Sequence, residues 1–403
     1  MTVLIIGAGA SGMVAALTAA EAGHEVLLLE RQARAGRKLM ATGNGRCNLT
    51  NLYAAPERYH GEDPVFVRPA LEAFPPAAAL AYFKSLGLLT TAEEGGRVYP
   101  LSNSANSVVD VLRYALEAAG VELLSGDPVR ALRRSRGGFS ATAESGRELH
   151  AQAVVVACGG MAGEKLGGVK DGYQLLMAMG HSRTALHPAL VQITTDPSYP
   201  RALKGVKADC ALDLTEGGRK LASGGGELLF TESGVSGPAA FDLSRAVAAA
   251  GERKLILSID LLRDYGVREV EAHLRDRRRA VPTLPCQEIL TGALHNRLGR
   301  MVVKFAGLDG ARPLAELTDG ELSALAAACK AFALPVRGTE GFGNAQVTAG
   351  GIRTAEFDPN TLESKIVPGL YACGEVLDVD GDCGGYNLQW AWASGRLAGR
   401  LGK

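Results

Sequence analysis

The chain has 403 residues, and 43 Lys and Arg balance 43 Asp and Glu, so its formal charge is zero. Neutrality excludes a protein that holds nucleic acid by bulk positive charge, though not a local basic patch. An apolar content of 47% excludes intrinsic disorder and supplies a sizeable core.

The first thirty residues form a complete unit. Val3 to Ile6 is a short apolar run, which predicts a buried parallel strand. Gly7-Ala8-Gly9-Ala10-Ser11-Gly12 follows, then an Ala-rich helical stretch from Met13 to Ala22, with Gly23 at the C′ position. Glu25 to Glu30 is a second apolar strand ending in an acid. Gly7-x-Gly9-x-x-Gly12 between strand and helix allows a tight turn, close approach of backbone to a pyrophosphate, and close helix–strand packing. The positive end of the helix dipole faces the phosphates, and Glu30 is placed to take the ribose hydroxyls. Dinucleotide binding is the expectation.

Helical periodicity returns at Phe66 to Leu86 and Ser107 to Ala119. Strands are predicted at 129–132, 139–143 and 153–156, the last running into Cys158-Gly159-Gly160. Beyond His187-Pro188, a domain crossover, residues 189–258 read as short strands and turns with no long helix, including a flexible turn at Ser223 to Gly226. Helices are expected at 267–279, 286–304 and 318–331, the last capped by Thr318 or Asp319. Leu334 to Thr339 is a strand. Gly350-Gly351, Gly374-Glu375 and Gly384-Gly385 restore the ligand-loop texture before a final helix, 388–401, whose Trp390 and Trp392 read as packing residues. Glycine is in excess throughout, 51 residues against the ~7% usual in globular chains, without a collagen-like period. The layout predicts nested insertion: residues 1–188 and 345–403 form one domain, 189–258 with 334–344 a β-rich domain, and 259–333 a helical insert.

After Glu30 comes Arg31, then Gly36-Arg37-Lys38-Leu39 and Thr42-Gly43-Asn44-Gly45-Arg46-Cys47-Asn48. This basic, glycine-rich loop suits a larger, extended dinucleotide and favours FAD over NAD. Gly385 opens the last helix with Tyr386, Asn387 and Leu388, where a helix N-terminus suits the flavin ring. No second GxGxxG follows a strand, so a nicotinamide is expected to bind transiently.

Seven widely spaced cysteines (47, 158, 210, 286, 329, 373 and 383), with no Cys-x-x-Cys, argue against a disulfide framework or a metal site. No signal peptide is evident, and no apolar run approaches the ~18 residues of a membrane span. No membrane partner and a cytoplasmic location are expected. Cys47, inside the flavin loop, is a weak catalytic candidate, and no catalytic residue is otherwise identified. Seven basic residues against two acids across 273–304 give a local excess of +5, with Arg275, Arg278 and Arg279 on one helix face and Arg297, Arg300 and Lys304 on another.

GAGASGM with Glu30, GRKLMATGNGRCNLTN, ELLFTESGVSGP, QVTAGGI and ESKIVPGLYACGEVLDVDGDCGGYNLQWAWASG together resemble the BaiN/RdsA-like family of NAD(P)/FAD-dependent oxidoreductases. The resemblance spans nearly the whole chain. It implies an α/β fold in which a FAD-binding, Rossmann-like domain of glutathione-reductase type carries an inserted β-barrel domain and a nested small helical domain. It assigns Glu30 to ribose, Lys38 and residues 42–48 to the flavin side, Val129 to adenine through its backbone, and Glu375, Asn387 and Leu388 to the flavin. The stretch Cys158-Gly159-Gly160 to Lys165 departs from the family pattern.

The expected activity is an NAD(P)H-dependent reduction of a C=C bond conjugated to a carbonyl. The resemblance supplies two substrates, a uridine of 23S ribosomal RNA, met through the basic faces, and a steroid-like enone, with the RNA as the leading expectation. An amine oxidase and a non-catalytic, flavin-stabilised RNA-binding protein are the alternatives.

Overall fold

A computed structural model describes residues 1–402. The chain separates into two compact units, one built from Met1–Pro188 and the chain from Phe342 onward, the other from Ala189–Gly341.

The first unit is organised by a five-stranded parallel sheet. Its strand order is Leu370–Ala372, Ala153–Val156, Thr2–Ile6, Glu25–Glu30, Glu122–Ser125. Val3 stands opposite Ala153 on one side and Val26 on the other. Val154 pairs with Leu370, so the two ends of the chain meet two strands apart. The central strands are covered on both faces, which is why they read as unbroken apolar runs. The helices Ala10–Glu21 and Tyr386–Ala398 lie together, Arg396 donating to the Thr18 hydroxyl at 3.2 Å and pairing with Glu21. An antiparallel meander, Val129–Ser135, Gly138–Ala143 and Glu148–Ala151, fills the sequence between sheet strands.

The second unit is built on a closed barrel. Around it run Ile193–Thr195, Gly234–Ser236, Arg219–Phe230, Lys207–Glu216, Leu255–Asp260 and Phe332–Thr339, the last bonding back to the first. Alternate residues point inward: Cys210, Leu212 and Leu214 on one strand, Leu255, Leu257 and Ile259 on its neighbour. The helices Val267–Ala280, Asn296–Phe305 and Asp319–Lys330 add Leu274, Val302 and Leu325 to the same apolar cluster.

Four local expectations need correction, and one open alternative is resolved. Ser223 to Gly226 is not a turn but mid-strand, with Gly224 opposite Leu212; the helix Pro238–Ala250 crosses there and lays Leu243 over the glycine. That helix was missed among strand texture although Pro at N1 and Gly251 past its end mark it. The 286–304 helix is only Asn296–Phe305, because Gly292 at φ 95° turns the chain and His295 Nδ1 caps the new start by accepting from the Arg297 N–H at 3.2 Å. The 66–86 helix breaks at Phe74-Pro75, since proline cannot continue the ladder. Thr318 rather than Asp319 caps the third helix: its hydroxyl accepts from the Glu321 N–H at 3.2 Å, and Glu321 returns the bond at 2.7 Å.

Candidate functional site

The Gly7–Gly12 loop is pinned by backbone. The Gly7 N–H donates to Leu29 O at 2.8 Å, and Met13 N–H to Gly9 O at 3.0 Å. A Cβ on Gly12 would fall on the Gly7 carbonyl oxygen, so only glycine lets the helix start this close to the strand. Gly9 faces open space, no side chain caps the helix, and its first turn holds no acid. Its first N–H groups are therefore left for an external acceptor. Ala10 and Ser11 begin that helix, and Ser11 lies buried near Gly374. Glu30 closes the second strand. Its carboxylate accepts from Ala8 N–H at 3.0 Å and Gln32 N–H at 2.8 Å. Burial pushes its pKa up, opposed by those two donors and by neighbouring Arg31.

The loop after Glu30 returns to the first one: Gly36 N–H donates to Ala8 O at 2.9 Å. Lys38 sits on the short helix Arg37–Ala41 with its ammonium 2.6 Å from Glu375 Oε2. Glu375 Oε1 accepts from Thr348 N–H at 2.8 Å, and the Thr348 hydroxyl accepts from Ala162 N–H at 2.9 Å. Lys38, Glu375, Thr348 and the 158–163 turn thus converge from four stretches of sequence. Thr348 escaped the sequence reading; only its place in QVTAGGI marked it. Leu39 is buried, and the Thr42 hydroxyl bonds its carbonyl at 2.7 Å. Gly43, Asn44 and Cys47 are all left-handed, so the loop coils tightly.

The last helix, Tyr386–Ala398, begins at Gly385 (φ 103°), again with no side-chain cap and no acid in its first turn. A Cβ there would meet Thr50 O at 2.5 Å and Asn48 Oδ1 at 2.8 Å. Asn48 Oδ1 is buried and has no hydrogen-bond partner. Trp392 Nε1 donates to Leu49 O at 2.7 Å and Trp390 Nε1 to Gly374 O at 3.2 Å, so both tryptophans clamp ligand loops to the helix as well as packing. The Asn387 amide is engaged by backbone. It grips Gly381, accepting from its N–H and donating to its carbonyl, each at 2.8 Å. Leu388 packs on the core, and Val129 is buried at the start of the meander.

Cys47 is buried in the core and its thiol is pushed up to about 12, so it is neither a thiolate nor an effective acid near neutrality. Burial also raises Cys158, whose Sγ donates to Ile6 O at 3.3 Å. Gly159 faces open space, while Gly160 backs onto Thr348 and Glu375. All seven cysteines are free thiols.

These features fit FAD. Two helix N-termini without side-chain caps, a strand-end acid and an orphaned amide oxygen beside the second N-terminus are the kinds of group that a dinucleotide's phosphates, ribose and ring would need. Among the described residues no group of three His, Cys, Asp or Glu side chains is arranged to hold a metal ion, and no helix is long and apolar enough to cross a membrane.

Five of the six basic residues singled out on the helix faces of the other unit are engaged at home. Arg275 pairs with Glu271 (3.2 Å), Arg279 with Asp276 (3.5 Å) and Arg300 with Glu288 (2.8 Å). Arg297 donates to Lys204 O at 3.3 Å. Arg278 donates to Leu317 O at 2.5 Å and Asp319 at 2.6 Å, while Lys304 is exposed. Counting basic residues missed acids supplied from outside 273–304. Arg278→Ala should therefore cost about 1–2 kcal/mol, chiefly through the orphaned Leu317 carbonyl. Urea denaturation measures this, and unchanged stability would mean the side chain is not held.

The fold is thus a Rossmann-type FAD-binding fold with an inserted closed barrel and helices. The pattern described as the HI0933-like protein Rossmann domain matches residues 1–401, and the chain belongs to that family. It is 41% identical over 400 residues to a 3-dehydro-bile acid delta(4,6)-reductase of Clostridium scindens, covering 98% of this chain and 97% of that one. It is 32% identical over 394 residues to a ribosomal RNA dihydrouridine synthase of Escherichia coli, covering 97% and 95%. Both relatives fall within the family that the motifs resemble. Among solved structures, a 3-ketosteroid delta1-dehydrogenase of Sterolibacterium denitrificans shares the fold at TM-score 0.53 and 15% identity, with 99% of each chain covered.

Proposed function

We propose that this FAD-dependent oxidoreductase is a reductase of a C=C bond conjugated to a carbonyl, acting on a small steroid-like enone, with NAD(P)H as electron donor. The observation that favours a small molecule over RNA is the engagement of Arg275, Arg278, Arg279, Arg297 and Arg300 by acids and carbonyls of their own unit. The 41% identity to a bile acid reductase over 98% of the chain supports the same choice.

Bound FAD would supply a hydride to the β carbon of the enone. Gly7 to Gly12 and the first helix N-terminus would hold its pyrophosphate, and Glu30 its adenosine ribose. The Lys38–Glu375 pair and the 42–48 loop would line the flavin side, with Gly159 leaving room for backbone approach. The uncapped N–H groups at Gly385 to Asn387 would favour negative charge on the ring.

The test is anaerobic and uses purified holoenzyme. NADH or NADPH should bleach the flavin, and a 3-oxo-4-ene steroid should restore its colour with formation of the saturated ketone. A wild-type flavin that ignores the steroid but is reoxidised by unmodified ribosomal RNA, with dihydrouridine formed, would replace this reading by the RNA one. Stoichiometric peroxide from an amine would replace it by the oxidase.

A further inference from the structure

The reduction needs one proton at the α carbon, and no residue discussed so far supplies it. Cys47 is held too basic, and burial pushes the Tyr59 and Tyr99 hydroxyls the same way. Lys38 is committed to Glu375. His181 is buried, bonded to Glu356 at 2.9 Å and Ser364 at 2.9 Å.

One histidine lies elsewhere. His60 ends the short strand Tyr59–His60, which pairs antiparallel with Asp380–Gly381, placing His60 opposite Asp380. Its Nε2 is 2.7 Å from Asp382 Oδ1. Asp382 is itself fixed, its N–H donating to Arg58 O at 3.0 Å and its Oδ2 lying 3.4 Å from the Arg58 guanidinium. The segment is locked onto the last helix by the Asn387 grip on Gly381 and by the Tyr59 hydroxyl, which donates to Tyr386 O at 3.0 Å. Gly384 and Gly385 follow directly. The loop that delivers the second helix N-terminus to the cofactor therefore also carries a carboxylate–imidazole pair. The imidazole is 39% exposed and the carboxylate 21%, so a ligand reaches the ring more readily than its partner.

We propose that His60, oriented by Asp382, is the acid that protonates the α carbon. This rests on the reductase reading. The C=C π bond breaks as the β carbon takes the hydride supplied by reduced flavin, which NAD(P)H regenerates. The electron pair left at the α carbon takes the imidazolium proton, and neutral His60 recovers a proton from solvent. Asp382 touches the ring and Arg58 touches Asp382, Asp380 stands across the strand pair, and two residues along the chain the Glu62 N–H donates to Asp378 at 3.0 Å. Glu62 in turn pairs with Arg353 at 2.5 Å.

His60→Gln and Asp382→Asn test it in FAD-loaded protein by anaerobic rapid mixing. Flavin bleaching by NAD(P)H should stay within about twofold of wild type in both. Reoxidation by the 3-oxo-4-ene steroid should slow on the order of 100-fold or more in His60→Gln. The wild-type rate should fall as pH rises through the His60 pKa; His60→Gln should lose that limb and Asp382→Asn move it to lower pH. Independently of turnover, NMR titration of the holoenzyme should show the His60 imidazole pKa falling in Asp382→Asn, as the paired carboxylate is lost. A His60→Gln enzyme with the wild-type reoxidation rate and pH profile would overturn the proton-donor role and leave the reductase reading standing. A wild-type flavin that the steroid cannot reoxidise would overturn the reductase reading, and the donor role with it.

Discussion

Replacing Glu30 by Ala should weaken FAD binding about 30- to 100-fold, equivalent to roughly 2–3 kcal/mol. Two losses add. The adenosine ribose loses its charged acceptor, and the Ala8 and Gln32 N–H groups that now reach the carboxylate lose theirs. Ala8 belongs to the Gly7–Gly12 loop, the proposed pyrophosphate cradle, so its release would also loosen that backbone. Fluorescence titration of apoprotein with FAD measures the effect, and wild-type affinity would refute the ribose assignment. Glu30→Gln should lose less, since an amide oxygen still accepts one of these bonds.

Gly12→Ala should be severely damaging. The added carbon has to displace the Gly7 carbonyl oxygen, and Ala157 Cβ stands 3.2 Å away on the other side. Neither neighbour is the free end of a flexible side chain. Overpacking usually costs about 1–3 kcal/mol, and a clash with backbone that is itself hydrogen-bonded in place belongs at or beyond the top of that range. The variant should express poorly or purify without yellow colour, with a urea midpoint well below wild type. A stable, yellow Gly12→Ala protein would mean the helix does not start where the structure puts it. Gly9→Ala, by contrast, meets open space in the polypeptide, so any loss there should appear in FAD retention rather than in folding.

The strand, glycine turn, helix and second strand at the start of the chain were legible because their determinants are local. A strand, a Gly-x-Gly-x-x-Gly turn, a helix and a strand-end acid lie within thirty residues, and each glycine answers a backbone constraint that acts at short range. The barrel strand Phe332–Thr339 and the capped helix at Asp319–Lys330 were legible for a similar reason: alternation and capping are nearest-neighbour properties.

What the sequence determined by itself, then, is the parallel-sheet class, the cofactor loop and the family. Only the tertiary structure decided how residues far apart meet. Asn387 and Gly381 are close in sequence, yet only the folded loop shows that the Asn387 amide bonds the Gly381 backbone, accepting from its N–H and donating to its carbonyl. Lys38 and Glu375 lie 337 positions apart and pair because the sheet order sets the last strand two places from the first. His60 joins Asp382 across 322 positions through a two-residue strand pair too short for any periodicity to announce. The arginines of 275–300 read as a patch because the sequence shows charge but not partners. Asp319 and the carbonyls of Lys204 and Leu317 reach them only after folding, when burying an unpaired guanidinium or carbonyl would cost more than ordering the pair.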